Sequence, residues 1–419
     1  MKITKRLAQA LAVGVGLSLA LTGCGGSGFN KAAPSASAPA AGQTAEANKN
    51  EVSVLIGASG EAEKKAVEEA VAAWSTKSGV PAKVIAATDL VQEAAQGFAS
   101  GSPADVLYVS TDGLGNYAKA GNLLAYGDDL ANKDDFYPAL RDAFTVDGKL
   151  MCAPKDFSTL QLIINTDLWA AAGLTEADYP KTWDDLKAVS QKLTKGGVTG
   201  LAFGPEIQRI GVFLAQNGGG LVTDGKATAN SDANVEALAF VKQGMTDGWM
   251  AYSSDLGAGW GGEALGKKMA AMVIEGNWIT GAMKSDYSDV KYAAVELPAG
   301  KSKGTLQYTN CWGVAAKGDN TAGAIDLVTF LTSPEQQLAF AKGFGVMPSV
   351  KSAEAEWSKA NPEMAAFIKG AEYAQNLPAQ VGAADVIKDF NSELSQLKTK
   401  DPKAILDQVQ SNLQPVVEG

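Results

Sequence analysis

Residues 52–109 read VSVLIGASGEAEKKAVEEAVAAWSTKSGVPAKVIAATDLVQEAAQGFASGSPADVLYV. Val52-Ser53-Val54-Leu55-Ile56 is a short apolar run of strand composition. Behind Ser59-Gly60-Glu61, the residues Val67, Ala70, Val71 and Trp74 recur at the spacing of one helix face, and Gly79 closes that helix. Residues 82–87 predict a second strand, 90–99 a second helix and 105–109 a third strand. Strand, helix, strand, helix, strand in this order predicts parallel strands with helices on the faces of the sheet. Ligands of such sheets sit beyond the carboxyl ends of the strands, which places Ser59, Glu61 and Asp112 along one rim.

The alternation continues downstream. Residues 149–153 and 160–165 read as strands on either side of Pro154-Lys155-Asp156-Phe157. Thr182-Trp183-Asp184-Asp185 opens a helix with Thr182 as N-cap and an acidic residue three positions on. Residues 201–203 predict a strand, 210–216 a helix ended by Asn217-Gly218-Gly219-Gly220, and 235–245 another helix. The strand 269–274 runs into Glu275-Gly276-Asn277-Trp278, the strand 312–316 follows, and the rest is mainly helical. The expected architecture is α/β with two lobes, each a mostly parallel sheet flanked by helices, and a hinge where the chain crosses near 152–157 and 309–312. Lobe 1 then comprises 51–155 and 310–345, and lobe 2 comprises 156–309 and 346–419.

Composition narrows the chemistry. The 419 residues include no histidine, which removes Ser-His-Asp and Cys-His nucleophiles, histidine bases and nearly all zinc, copper and non-haem iron sites. No metal and no cofactor is expected. Acidic residues outnumber basic ones 46 to 36, and the only arginines are Arg6, Arg141 and Arg209. Nucleic-acid grooves and carboxylate clamps lean on arginine's bidentate fork, so the expected partner is an uncharged small molecule and not DNA or RNA.

Lys2, Lys5 and Arg6 precede an apolar run over 7–21, the pattern of a secretory signal that is too short to span a bilayer. Leu21-Thr22-Gly23-Cys24 resembles the bacterial lipobox, which implies a signal peptide over 1–23 and a lipid on Cys24. Residues 24–50 are rich in Gly, Ser, Ala, Pro, Gln and Thr and read as a flexible tether. The protein is therefore expected outside the cytoplasm, anchored to the outer face of the membrane. There, the even pair Cys152 and Cys311 is expected to form a disulfide.

Over essentially the whole mature chain, the order of motifs resembles the bacterial extracellular solute-binding proteins of family 1, the sugar-binding, maltodextrin-binding-like class that feeds ABC importers. The resemblance is carried by the lipobox, Ser59-Gly60-Glu61, Pro103-Ala104-Asp105-Val106-Leu107 and Cys152-Ala153-Pro154-Lys155-Asp156. It continues through Asn165-Thr166-Asp167-Leu168, Lys181-Thr182-Trp183-Asp184-Asp185-Leu186, Asn217-Gly218-Gly219 and Glu275-Gly276-Asn277-Trp278, and ends with Trp312-Gly313-Val314-Ala315 and Phe330-Leu331-Thr332-Ser333-Pro334-Glu335. It implies a two-lobed periplasmic-binding-protein-like fold of type II that closes over a sugar and delivers it to a membrane permease. Glu61, Asp112, Glu206 and Gln208 match polar positions of that cleft, and Trp278 matches an aromatic platform. Residues 379–386 align with a segment that carries another platform aromatic in some relatives, and here it has none.

Sugar chemistry asks for the same residue types. Carboxylates and amides bond adjacent hydroxyls, while a flat indole covers the C–H face of the ring. Trp260, Trp278 and Trp312 are candidate platforms. Asp156, Glu275, Asn277 and Asn310 are candidate polar contacts beside them, and Arg209 is placed to brace the pocket through a carboxylate. Trp74, Trp169, Trp183, Trp249 and Trp357 are assigned to packing. A monomeric binder is the favoured class. The rivals are a surface glycoside hydrolase, which needs only two carboxylates, a surface adhesin or sensor on the same fold, and a peptide or amino-acid binder.

Overall fold

The computed structural model describes residues 50–58 and 61–418. The proposed signal, the Cys24 lipidation site, nearly all of the tether, and Ser59 lie outside the described residues.

The opening repeat folds as expected. Val52–Ile56 pairs in parallel with Ala82–Ala86 on one side and with Val106–Ser110 on the other. The helix Glu61–Ser78 buries Val67, Ala70, Val71 and Trp74 against this sheet, and Gly79 ends it at a φ of 72°. Asp105 accepts from the Ser53 amide at 2.9 Å and from the Asn320 amide at 2.8 Å, tying the first and third strands to a later segment.

The full first sheet runs Met347–Pro348, Ala153–Thr159, Thr305–Val314, Val106–Ser110, Val52–Ile56, Ala82–Ala86, with Ala374–Gln375 paired to one end of Thr305–Val314. The second runs Met250–Tyr252, Thr199–Phe203, Ala270–Glu275, Gln161–Asn165, Tyr292–Val295. Its three inner strands are buried at every residue, as expected of strands covered on both faces. One apolar cluster, including Trp249, Phe213 and Phe390, fills one side, and a second, including Ile163, Val273 and Trp357, fills the other.

Both sheets are evenly mixed, which corrects the expectation of mostly parallel sheets. Ala153–Thr159 and Thr305–Val314 run antiparallel to each other, and Gln161–Asn165 runs antiparallel to both of its neighbours. These are the segments by which the chain leaves one lobe and returns. The crossing also lies later than expected. Pro154-Lys155-Asp156-Phe157 is strand and not connection, and only Leu160 separates the strand of one sheet from that of the other. Pro154 has no N–H for the ladder, and the register shifts by a bulge between Asn310 and Cys311, the residue opposite it. Met347–Pro348 pairs with Phe157 and Asp156, so the first sheet extends past residue 345.

Cys152 and Cys311 are bonded as a disulfide, their Cα atoms 5.7 Å apart, linking the two hinge strands at the lobe 1 end. Beside it lies a buried charge cluster. Lys155 Nζ donates to Glu63 Oε1 at 2.9 Å and to the Asp156 carboxylate, and lies over the rings of Tyr108 and Phe344. Tyr108 donates to the same Glu63 oxygen at 3.0 Å. Burial alone would lower the Lys155 pKa, but the adjoining Asp156 and Glu63 carboxylates outweigh it and hold the ammonium firmly protonated.

Candidate functional site

Between the lobes is a cavity of about 750 Å³. Thr111 and Asp112 contribute from lobe 1, at the start of the helix Thr111–Lys119 that Ser110 caps by accepting from the Gly113 amide at 3.3 Å. Gln208, Asn391 and Lys388 contribute from lobe 2, with Gln307 and Tyr308 from the hinge strand Thr305–Val314. The lobe 2 wall is cross-braced. Asn391 Oδ1 accepts from the Ile207 amide at 2.8 Å, satisfying a donor at the start of the helix Ile207–Gln216, while its Nδ2 donates to Gln208 Oε1 at 3.0 Å. The Tyr308 hydroxyl donates to the Gln208 carbonyl.

Tyr308 also leads to the aromatic platform. Trp278 meets it edge to face at 5.8 Å, and 39 % of Trp278 stays exposed. The rest of the indole is clamped. The strand Ala270–Glu275 ends in Glu275, which is only 1 % exposed, and a buried carboxylate requires a partner. Arg209 supplies it, with Nη2 at 2.9 Å and Nε at 3.2 Å from Oε2. Trp278 Nε1 donates to that oxygen at 3.0 Å, and the guanidinium lies 5.2 Å from the indole centroid, in cation–π range. The ring folds back over Gly276, where a Cβ would stand 2.2 Å from it. Gly276→Ala is therefore expected to displace the indole, changing tryptophan fluorescence and weakening ligand binding several-fold by titration. Unchanged emission and affinity would show that the ring tolerates the methyl.

Glu206 stands 3.6 Å from Arg209 Nη1. Burial pushes its pKa up, with Arg209 opposing and the Glu275 charge adding to the rise. A carboxyl raised on folding contributes stability that is complete below its unfolded pKa and lost as pH rises through the folded one. Glu206→Gln is expected to remove that loss, so its thermal midpoint should gain on the wild type as pH rises above the ordinary carboxylate range. A constant difference across pH would contradict this.

The expected site residues separate into three groups. Asp112 and Gln208 meet across the cavity, and Trp278, Glu206 and the bracing Arg209 stand beside it. Glu61 is exposed, 3.7 Å from Lys64 within its own helix, and is not among the cavity-lining residues. The others are engaged within the fold. Trp312 is 0 % exposed and packs edge to face on Tyr108, because its strand passes through the centre of the first sheet. Glu275 lies beneath Trp278 as its anchor. Asn277 is buried, donating from Nδ2 to the Gly345 carbonyl at 2.9 Å and from its amide to Ser158 Oγ at 3.1 Å. Asp156 pairs with Lys155. Trp260 packs on the Val273 and Trp357 cluster with its ring folded over Gly262. Asn310 is half-buried, opposite Asp156 and Ser110 in the ladder. Among the described residues no acidic or cysteine cluster is placed to hold a metal, and no helix is long and apolar enough to cross a membrane.

The profile of the bacterial extracellular solute-binding proteins matches residues 69–366. The chain belongs to that family. This is a family of solute binders and not of enzymes, so the glycoside hydrolase reading falls away. Among its relatives, the arabinooligosaccharide-binding protein of Bacillus subtilis is 29% identical over 224 residues, 51% of this chain and 47% of that one. The chain spans about half the length of the curated relatives it matches. The fold matches solved structures along nearly their whole length. A cyclic alpha-maltosyl-1,6-maltose binding protein from Arthrobacter globiformis superposes with a TM-score of 0.78 at 21% identity, over 88% of this chain and 99% of that one. The sugar-binding protein MalE of Xanthomonas citri gives 0.77 at 17% identity, over 88% and 97%. The two-lobed α/β fold of periplasmic binding proteins is thus shared.

Sequence reasoning missed Thr111, Gln307, Tyr308, Asn376 and Asn391 in the cavity wall of this solute-binding protein. Tyr308 carried a signal, an aromatic next to a polar pair in a strand that crosses lobes. Asn391 carried none, since its role depends on a helix start 184 residues away.

Proposed function

We propose that this solute-binding protein is the substrate-binding component of an ABC importer, capturing a neutral oligosaccharide in the inter-lobe cleft by hinge closure. The reading rests first on Trp278, an exposed indole held rigid against Arg209, Glu275 and Tyr308 at the edge of a cavity spanning both lobes. Such a ring offers an apolar face to sugar C–H bonds with no entropy left to lose. The cavity wall supports it. One carboxylate, Asp112, and one ammonium, Lys388, balance in charge, and the other polar side chains of the lining are amides and hydroxyls, Gln208 and Asn391 among the first and Thr111, Tyr308, Ser392 and Ser395 among the second. An amino-acid carboxylate would want a guanidinium, and Arg209 is already committed to Glu275. Relatives that bind arabinooligosaccharides and maltosyl sugars point to the same ligand class. The protein acts as a monomer, tethered outside the cytoplasm by a lipid on Cys24, and hands its sugar to a permease.

Titration calorimetry against maltotriose, maltotetraose, arabinotriose, monosaccharides and amino acids is the test. An oligosaccharide is expected to bind in the micromolar range, about −8 kcal/mol, and small-angle scattering should show compaction on binding. Binding of amino acids alone, or a bound sugar without compaction, would overturn the reading.

A further inference from the structure

We infer that Gln307 is a specificity-determining residue of the cleft, whose side-chain carbonyl takes a hydrogen bond from one hydroxyl of the captured sugar. The inference deepens the oligosaccharide reading and rests on it.

Gln307 lies on the hinge strand Thr305–Val314, lines the inter-lobe cavity and is 5 % exposed. Its Nε2 donates to Asn376 Oδ1 at 2.9 Å. Asn376 Nδ2 in turn donates to the backbone carbonyl of Ala139 at 3.0 Å. A backbone carbonyl can only accept, so Ala139 fixes which end of the Asn376 amide faces it. The other end, an acceptor, then faces Gln307 and fixes that amide as well. The outcome is that Gln307 Oε1 is left buried with no donor.

Other amides of the wall are already committed. Gln208 Oε1 receives Asn391, and Asn391 Oδ1 receives the Ile207 amide. Gln307 alone combines a cavity-lining position with a buried carbonyl that meets no donor among the described residues. Buried acceptors are rarely left unmet, and a group that carries a hydroxyl donor relieves this one. The terminal torsion of a glutamine amide is soft, so a modest turn presents the oxygen to the cavity while Nε2 keeps Asn376. A site built around a waiting acceptor rejects an analogue that lacks the matching donor more strongly than an apolar pocket does. Asn376 is the positioning residue, holding the amide in the receptive orientation through its own bond to the Ala139 carbonyl.

The experiment is a cycle between protein and ligand. Wild type and Gln307→Met are titrated with maltotriose, arabinotriose and the monodeoxy analogues of whichever binds more tightly. The wild type is expected to lose about tenfold in affinity for one analogue, and Gln307→Met to lose about tenfold for the parent sugar while no longer distinguishing that analogue. In the wild type, the Gln307 side-chain amide resonances should shift with the parent sugar and not with that analogue, a readout that does not depend on the variant folding. A Gln307→Met that binds the parent like the wild type, or that keeps the full discrimination, overturns the assignment alone. A wild type that binds none of the sugars overturns the oligosaccharide reading as well, so the two failures are told apart.

Discussion

Trp278→Ala is expected to weaken oligosaccharide binding by about 30-fold or more, the roughly 2 kcal/mol typical of a dominant aromatic contact. The indole is a large apolar group beside the cavity that is both exposed and held in place. Its loss removes the stacking face and uncovers an Arg209–Glu275 pair that would then be open to water. Because the ring is 39 % exposed, its truncation should lower the thermal midpoint far less than its effect on affinity suggests. Trp278→Phe separates the two functions of the side chain. It keeps an apolar face, loses the hydrogen bond to Glu275, and is expected to fall between wild type and alanine. Calorimetric titration of the three proteins with the sugar that the wild type retains is the check. Equal affinity in all three would remove Trp278 from the site.

The second large effect is on stability. Lys155→Met is expected to destabilise the protein by about 3–5 kcal/mol, the range for breaking a buried ion pair from one side. The ammonium is nearly inaccessible, and Glu63 and Asp156 both lose their cation when it goes. Burial already holds the Asp156 carboxyl above its ordinary value against the pull of Lys155, so in the variant that carboxyl becomes harder still to ionise. Groups raised in this way contribute stability at low pH that is lost as pH increases. The deficit against wild type should therefore be larger at pH 8 than at pH 5. Adding Glu63→Gln and Asp156→Asn to Lys155→Met should recover much of it, since removing every charge of a buried cluster costs far less than orphaning some of them. Thermal denaturation at the two pH values decides the matter. A loss below about 1 kcal/mol with no pH dependence would show that the cluster is better solvated than its burial indicates.

What could be read without coordinates was whatever neighbours along the chain determine. The spacing of Val67, Ala70, Val71 and Trp74 predicts one buried helix face, and that face is buried. Thr182 and Asp185 form the capping box that their three-residue separation suggests, with bonds of 3.2 and 3.0 Å in the two directions. An indole in a Gly-Asn turn after a buried strand reads as exposed, and Trp278 is exposed. Strand ends likewise locate the rim that carries Asp112.

Where residues far apart in sequence decide the outcome, the same cues fail. Glu275 and Trp312 sit beside aromatic or strand signals as Trp278 does. Yet one is neutralised by Arg209, 66 residues earlier, and the other is covered by Tyr108, whose strand pairs with its own. Pro154-Lys155-Asp156 reads as a break because proline and charge disfavour a strand. A bulge opposite Pro154 and the Glu63 carboxylate that receives Lys155 remove both objections, and both come from other parts of the chain. Local periodicity thus specified the elements and the rim, while the order of motifs carried the resemblance to the family. Which polar groups face the cleft and which are spent beneath it was settled only by packing, because a buried charge or amide goes wherever its partner is, and sequence distance says nothing about that.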